Sequence, residues 1–232
     1  MPDNAPEPRH HQDIVNCPPL LIATGNPHKV EEIAAVLGGL GLNCEGLQAL
    51  SGDHPEPVED GATFEANARI KARAYAEMTG RVCLADDSGL EIDALGGRPG
   101  VHSARYASDR FPQNADRAAR DAANNGLVIE ELAGVPAAGR GARFVCVLCV
   151  AAPDGAILAE VRGTFEGRIG DPDADTVPRG GNGFGYDPLF LIAPGFTQTS
   201  AELDPAEKNR VSHRGRALVL LAEKIAAGAL SG

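Results

Sequence analysis

The sequence predicts an α/β fold. Three observations carry that reading. Short β-rich apolar runs alternate with amphipathic helical segments along the chain, a strand–glycine turn–helix unit opens the patterned region, and a long hairpin follows, its turn marked by Asp154-Gly155. The chain has 232 residues, enough to bury a full core. With 28 glycines, 4% aromatics and no tryptophan, that core rests on Leu, Val, Ile and Ala.

The elements follow in order. "PPLLIATGN" is a short buried strand ended by Gly25, with Asn26 at a helix N-cap position and Pro27 at the first helical position. Val30, Ile33, Leu37 and Leu40 then recur at helical spacing. "SGDHPEPVEDGA" is an acidic, proline-rich loop. A second helix, "TFEANARIKARAYAEMTG", is closed by Gly80, with Phe64, Ala68, Tyr75 and Met78 on one face and Asn67 and Lys71 on a neighbouring stripe. "RVCLA" is a strand ending at the pair Asp86-Asp87. Glu91 and Asp93 alternate with Leu90 and Ile92 and belong on the solvent face of a strand. A helix over "NADRAARDAANNGLVIEEL" is expected to break near Gly126. The hairpin spans "RGARFVCVLCVAAPDGAILAEVRGTFEGRIG". A Gly-, Pro- and Asp-rich loop comes next. A short helix then begins with Asp204 as cap, Pro205 at its first position and Glu207 completing a capping box. The last helix puts Leu218, Leu221, Ala222 and Ile225 on one face and stops at Gly228.

Composition narrows the function classes. A formal net charge of −11 argues against binding to nucleic-acid backbones, which require Lys and Arg. A polyanionic ligand would need a metal cation or a local basic cluster to screen it. Five cysteines, at 17, 44, 83, 146 and 149, are an odd number and argue for a reducing compartment, so a cytoplasmic protein is expected. The N-terminal stretch lacks the apolar segment of a signal peptide, and no run approaches the roughly 20 apolar residues that cross a membrane. Residues 1–17 are expected to form a flexible polar tail, and residues 18–232 a single domain without internal repeat or linker.

Five constellations are candidates for chemistry. The turn Thr24–Lys29 presents backbone N–H groups and a helix N-terminus, a combination suited to phosphate. Lys29 lies in the first turn of that helix, where the dipole disfavours a cation unless an anion binds. Asp86 and Asp87 form either a solvated turn before Gly89 or a hard-cation site, with Glu59 and Asp60 as further carboxylates. A carboxylate not used as a ligand can take a proton from water. In "GGNGFGYDP", Phe184 and Tyr186 either stack on a nucleobase or tuck into the core. "EKNRVSHRGR" concentrates Lys208, Arg210, His213, Arg214 and Arg216 in an acidic chain, as a solvated helix end or as donors to an electron-rich ligand. Cys146 and Cys149 are three apart on a strand, so they point to opposite faces and cannot clamp one ion. They are small core residues.

"TGNPHK", "FEANARIKA", "ADDSGLEIDALGGRPGVHSARYA", "FGYDP" and "AEKNRVSHRGRAL" occur in this order. Together they resemble the inosine triphosphate pyrophosphatase (Ham1/RdgB-like) family from about Leu20 to about residue 227. The resemblance implies two lobes around a long central mixed sheet flanked by helices, with the nucleotide in the cleft between them. It implies a homodimer, a Mg²⁺ requirement, and hydrolysis of ITP, dITP and XTP to monophosphate and pyrophosphate. Motif by motif, it implies that Thr24, Gly25, Asn26, Pro27, His28 and Lys29 hold the phosphates with help from Lys71. Glu59 and Asp87 bind the metal, with Asp86 behind them, and Asp87 is also the proton acceptor. Ser88 contacts the substrate, and Phe184 stacks on the base with Gly185, Tyr186 and Asp187 around it. Lys208, His213 and Arg214 complete the base and sugar end. A pocket offering a donor to the C6 oxygen of hypoxanthine or xanthine leaves buried groups unpaired when adenine enters. Three alternatives stand beside this one: a pyrophosphatase for modified pyrimidine nucleotides, a non-catalytic nucleotide-binding module, and a zinc or redox protein using Cys146 and Cys149.

Overall fold

The computed structural model describes residues 19–25, 27–39 and 41–230. The expected tail, Asn26 and Leu40 lie outside the described residues, as do the side chains of Pro27 and His28. Among the described residues six strands form one mixed sheet: β1 (Leu20–Ile22), β2 (Cys44–Gly46), β3 (Cys83–Ile92), β4 (Gly141–Ala151), β5 (Ile157–Ile169) and β6 (Phe190–Ile192). Their order is β2-β1-β3-β4-β5-β6. β1 runs parallel to β2 and β3, and the remaining neighbours are antiparallel. The helices are α1 (Pro27–Gly39), α2 (Phe64–Thr79), α3 (Arg117–Glu131), α4 (Pro205–Val211) and α5 (His213–Ala226).

β3, β4 and β5 are long, and their alternating side chains build the core on both faces of the sheet. On one face, α1 and α5 bury Val30, Ile33, Leu37, Leu218 and Leu221 over Leu84, Cys146, Leu148 and Val161. Further along the same face, Leu90, Ile92, Phe144 and Phe165 pack with Val128 of α3 and with Phe190 and Leu191 of β6. The opposite face carries α2, whose Phe64, Ala68, Ala72 and Tyr75 cover Cys83, Ala85, Val145, Val147 and Cys149. Two apolar clusters thus share one face, with Asp86 and Ser88 between them in β3. This is the two-lobed arrangement around a cleft.

Two local devices fix the helices that matter to the site. Thr63 caps α2 by accepting a hydrogen bond from Ala66 N, and Gly80 ends it at φ 65°, a left-handed conformation that favours glycine. α5 approaches β5 at Gly163, where a Cβ would lie 2.2 Å from the His213 carbonyl oxygen and 2.5 Å from Ala217 N.

Several expectations need correction. β3 does not stop at the aspartate pair but continues to Ile92, because β4 pairs with it along its whole length, Asp86 opposite Leu148 and Asp87 opposite Val147. Glu91 is in that strand, whereas Asp93 begins a short 3₁₀ turn. α3 runs through Gly126 unbroken, its ends set by the Asp116 cap and by packing of Val128 and Leu132. Met78 is 44% exposed rather than on the apolar face of α2. Asp204 caps α4 by accepting from Glu207 N, but the reciprocal capping box is made by Thr199 and Glu202. Cys146 and Cys149 do face opposite ways, one in the α1/α5 cluster and the other under α2.

Candidate active site

The aspartate pair is the centre of the site, and the pleat of β3 explains how two adjacent carboxylates coexist. Successive residues point to opposite faces. Asp86 and Ser88 share the face of Leu84 and Leu90, while Asp87 shares that of Ala85, under α2. Each carboxylate therefore meets its own cations. Asp86 is 2% exposed and lies 2.9 Å from Lys29 Nζ and 3.5 Å from Arg214 Nη2. It also accepts a 3.3 Å hydrogen bond from Ser88 Oγ. Burial alone would raise its pKa, but Lys29, Arg214 and Lys71 outweigh burial and hold it well below the usual carboxylate range.

Asp87 lies in a different environment. Lys71 Nζ is 3.5 Å from Asp87 Oδ1 and 3.2 Å from Glu59 Oε1, so one ammonium joins the acidic loop to β3. Asp87 Oδ2 is buried without a hydrogen-bond partner. Burial raises the Asp87 pKa, with Glu59 and Asp86 adding to it and Lys71 and a hydrogen bond from the Asn67 side chain opposing it. Burial would also depress Lys71, yet Asp86, Asp87 and Glu59 together raise it, so it stays charged. β1 pairs with β3 only through Leu21–Cys83 and Ile22–Leu84. Among the described residues the edge of β3 from Asp86 to Ser88 is left open on that side, where groups from both faces can approach one ligand.

A cleft of about 260 Å³ opens over Ser88. Lys29 and Glu32 of α1 stand at one end, Phe184, Gly185 and Tyr186 at the other, with Lys208, His213 and Arg214 from α4 and α5 also lining it. Arg214 is buried and donates to Glu32 and, at 3.4 Å, to Ser88 Oγ. Its charge is secured against the cost of burial by Asp86 and Glu32. His213 stacks on Phe144 with centroids 5.1 Å apart. Burial, with Arg214 and Lys208 adjacent, puts its pKa well below the ordinary imidazole value, so it is neutral, and its Nδ1 is buried without a partner.

The two aromatics of the glycine loop divide their roles. Phe184 is half-buried at the cleft wall. Tyr186 is 4% exposed, packs in the core, and donates its hydroxyl to the Ser103 carbonyl at 2.8 Å. Asp187 is a brace: it accepts from Phe184 N and pairs with Lys208. From α3, Asp121 accepts from Gly185 N and Asn125 donates to Gly185 O. Thr24 and Gly25 follow β1, with Thr24 half-buried and Gly25 exposed.

Among the described residues the fold brings Lys29, Ser88, Phe184, Gly185, Tyr186, Asp187, Lys208, His213 and Arg214 to one cleft. Glu59, Lys71 and Asp87 gather on the other face of β3. Sequence reasoning missed Glu32, Ser103, Phe144 and the α3 group Arg117, Arg120 and Asp121, which also line the cleft. The only signal for that group was its i, i+3, i+4 spacing, which places three polar groups on one helix face.

Known proteins resemble this chain in sequence and in fold. The model of the Ham1 family matches residues 20–224. The chain belongs to the Ham1 family. A relative from Exiguobacterium sibiricum named dITP/XTP pyrophosphatase is 51% identical over 199 residues, 86% of this chain and 92% of the relative. One from Nitratidesulfovibrio vulgaris with the same name is 50% identical over 88% of this chain and 94% of its own length. Among solved structures, a HAM1 protein from Coxiella burnetii superposes with a TM-score of 0.76 at 39% identity, covering 90% of this chain and 98% of the other. The Ham1 membership accounts for the fold: the mixed six-stranded sheet flanked by helices is shared with these structures. Cys146 and Cys149 lie on opposite faces of β4, and burial pushes both thiols up to about 12, an environment that disfavours thiolate chemistry.

Proposed function

We propose that the protein is a nucleoside triphosphate pyrophosphohydrolase that converts the non-canonical purine nucleotides ITP, dITP and XTP to monophosphate and pyrophosphate, removing them from the nucleotide pool. The observation that carries the reading is the division of labour on β3. Asp86 anchors the Lys29–Arg214 cation pair at the cleft, while its neighbour Asp87 keeps a buried, unpartnered oxygen on the other side of the open strand edge.

Lys29 and the turn from Thr24 to Lys29 receive the phosphates, Lys71 assists, and Phe184 takes the base. Asn26, Pro27 and His28 are assigned to the same turn by the motif. Lys208, His213 and Arg214 hold the base and sugar end, and Ser88 contacts the substrate between the two ends. Water attacks the α-phosphorus. Its oxygen forms the new P–O bond, the bond from the α-phosphorus to the bridging oxygen breaks, and pyrophosphate leaves with the electron pair. The water proton passes to Asp87 Oδ2, whose lack of a protein partner suits it to accept one. The cationic side chains stabilise the charge that develops on the phosphates.

A Mg²⁺ ion is part of the proposal. The Asp87 carboxylate and the half-exposed Glu59 are hard oxygen donors that fit it, provided that one Asp87 oxygen is left for the water proton. No cluster of three or more ligating side chains occurs among the described residues, so phosphate oxygens and water would complete the shell. When bound, Mg²⁺ supplies Lewis-acid polarisation of the phosphoryl group. A homodimer and a cytoplasmic location are also proposed, with 18–232 acting as one domain. No described helix is long and apolar enough to cross a membrane.

The test is a pyrophosphate-release panel of ITP, dITP, XTP, ATP, GTP, dUTP and methylated pyrimidine triphosphates, with and without Mg²⁺. Selective release from the first three, dependent on Mg²⁺, is expected. Preference for pyrimidines, or tight binding without release, would overturn it.

A further inference from the structure

Among the described residues five cationic side chains line the cleft: Lys29, Arg117, Arg120, Lys208 and Arg214. Three are matched to carboxylates of the chain, Lys29 to Asp86, Lys208 to Asp187, and Arg214 to Glu32 and Asp86. Arg117 and Arg120 have no ion pair among the described residues, and both are exposed. In a chain of net charge −11 this surplus has a particular location. It is not at the Lys29 end. Arg117 Cζ stands 4.5 Å from the centroid of the Phe184 ring, with Lys208 Nζ 5.7 Å from the same ring. Arg117 is also the first residue of α3, where the helix dipole disfavours a cation. Of the carboxylates facing this place, Asp187 is paired with Lys208, whereas Asp121 accepts only from the neutral Gly185 N–H among the described residues and so offsets one of the two guanidiniums; His213 is neutral.

On the reading that Phe184 is the base platform, we propose that Arg117, supported by Arg120, makes the base end select a purine ring that carries negative charge, the deprotonated xanthine ring, over the neutral hypoxanthine ring. The chemistry separates the two. Xanthine carries carbonyls at both C2 and C6 and gives up a ring proton in mildly acidic to neutral solution. Hypoxanthine has one carbonyl and keeps its proton until the solution is alkaline. A guanidinium 4.5 Å from the centroid of the ring on which the base stacks favours the anion through charge and through its five donors.

The experiment compares kcat/KM for XTP and ITP across the pH range in which the xanthine ring ionises, in the wild type, Arg117→Gln and Arg117→Lys. Arg117 is exposed and its side chain caps nothing, so neither substitution threatens the fold. The wild-type XTP-to-ITP ratio should rise as the ring deprotonates. Arg117→Gln should lower that ratio about tenfold and flatten its pH dependence, and Arg117→Lys should keep part of it. An equal loss for both substrates would overturn the proposal and reassign Arg117 to phosphate or ribose. An unchanged ratio would overturn it as well. Calorimetric titration with XMP and IMP separates this inference from the enzyme reading, because it needs no turnover. Wild-type protein should bind XMP about tenfold more tightly than IMP, and Arg117→Gln should abolish the difference. Equal affinities in the wild type would sink the inference whether or not the protein hydrolyses either triphosphate.

Discussion

At Asp87 the decisive quantity is the environment of one oxygen. Oδ2 is buried and unpartnered, Oδ1 is 3.5 Å from Lys71, and Glu59 shares that ammonium. Asp87→Asn keeps the shape and removes the proton acceptor, so kcat should fall by about 10²–10⁴-fold. Circular dichroism and nucleotide binding should stay near those of the wild type. Near-normal turnover by the folded variant would remove Asp87 from its role. The opposed directions of Asp86 and Asp87 were legible in principle, since the period-two rule that separates Cys146 from Cys149 separates the aspartates too. The rule applies to the pair because β3 continues through it, paired with β4 along its whole length. The meeting of Glu59 with Asp87 was not legible, because a proline-rich loop has no periodicity from which to project its side chains.

Among the elements, α5 and α3 invite opposite tests. Gly163 lets α5 lie directly on β5, and a methyl there would meet backbone that cannot swing away. Gly163→Ala should cost at least about 1–3 kcal/mol in urea denaturation and displace His213 and Arg214 from the cleft. Gly126 faces open space inside α3, so Gly126→Ala should stabilise by about 0.5–1 kcal/mol. An unstable Gly126→Ala would revive the expected break. Glycine in a helical pattern is ambiguous in sequence, and the Val128–Leu132 packing resolves it here. At the end of β5, two hydrogen bonds from Arg168 hold the Asp175 carboxyl at about 2. A lowered value stabilises the fold above the unfolded carboxyl pKa, and that contribution is lost as pH falls from the ordinary value toward 2. Asp175→Asn should therefore destabilise by about 1 kcal/mol near neutrality, with the difference from wild type shrinking in acid.

Across the whole molecule, the carboxylates proposed to hold the metal lie outside the apolar core. The three apolar clusters contain neither Glu59 nor Asp87. Chelation of divalent cations should accordingly abolish pyrophosphate release while leaving the thermal unfolding midpoint nearly unchanged. A collapse of that midpoint would mean that a metal holds the lobes together.

The sequence by itself determined the α/β class, the elements whose apolar period is strong, and the motif order that marks the Ham1 family. The elements are local properties, set by spacings of two to four residues, and the motif order is read along the chain without knowing what packs on what. The tertiary structure alone decided which charges meet. Lys29 reaches Asp86 across 57 residues, Glu32 reaches Arg214 across 182, and Arg117 comes to rest over Phe184. Such contacts depend on how β3, α1, α3 and α5 pack around the cleft. Packing is driven by apolar area, which is blind to the charges it brings together.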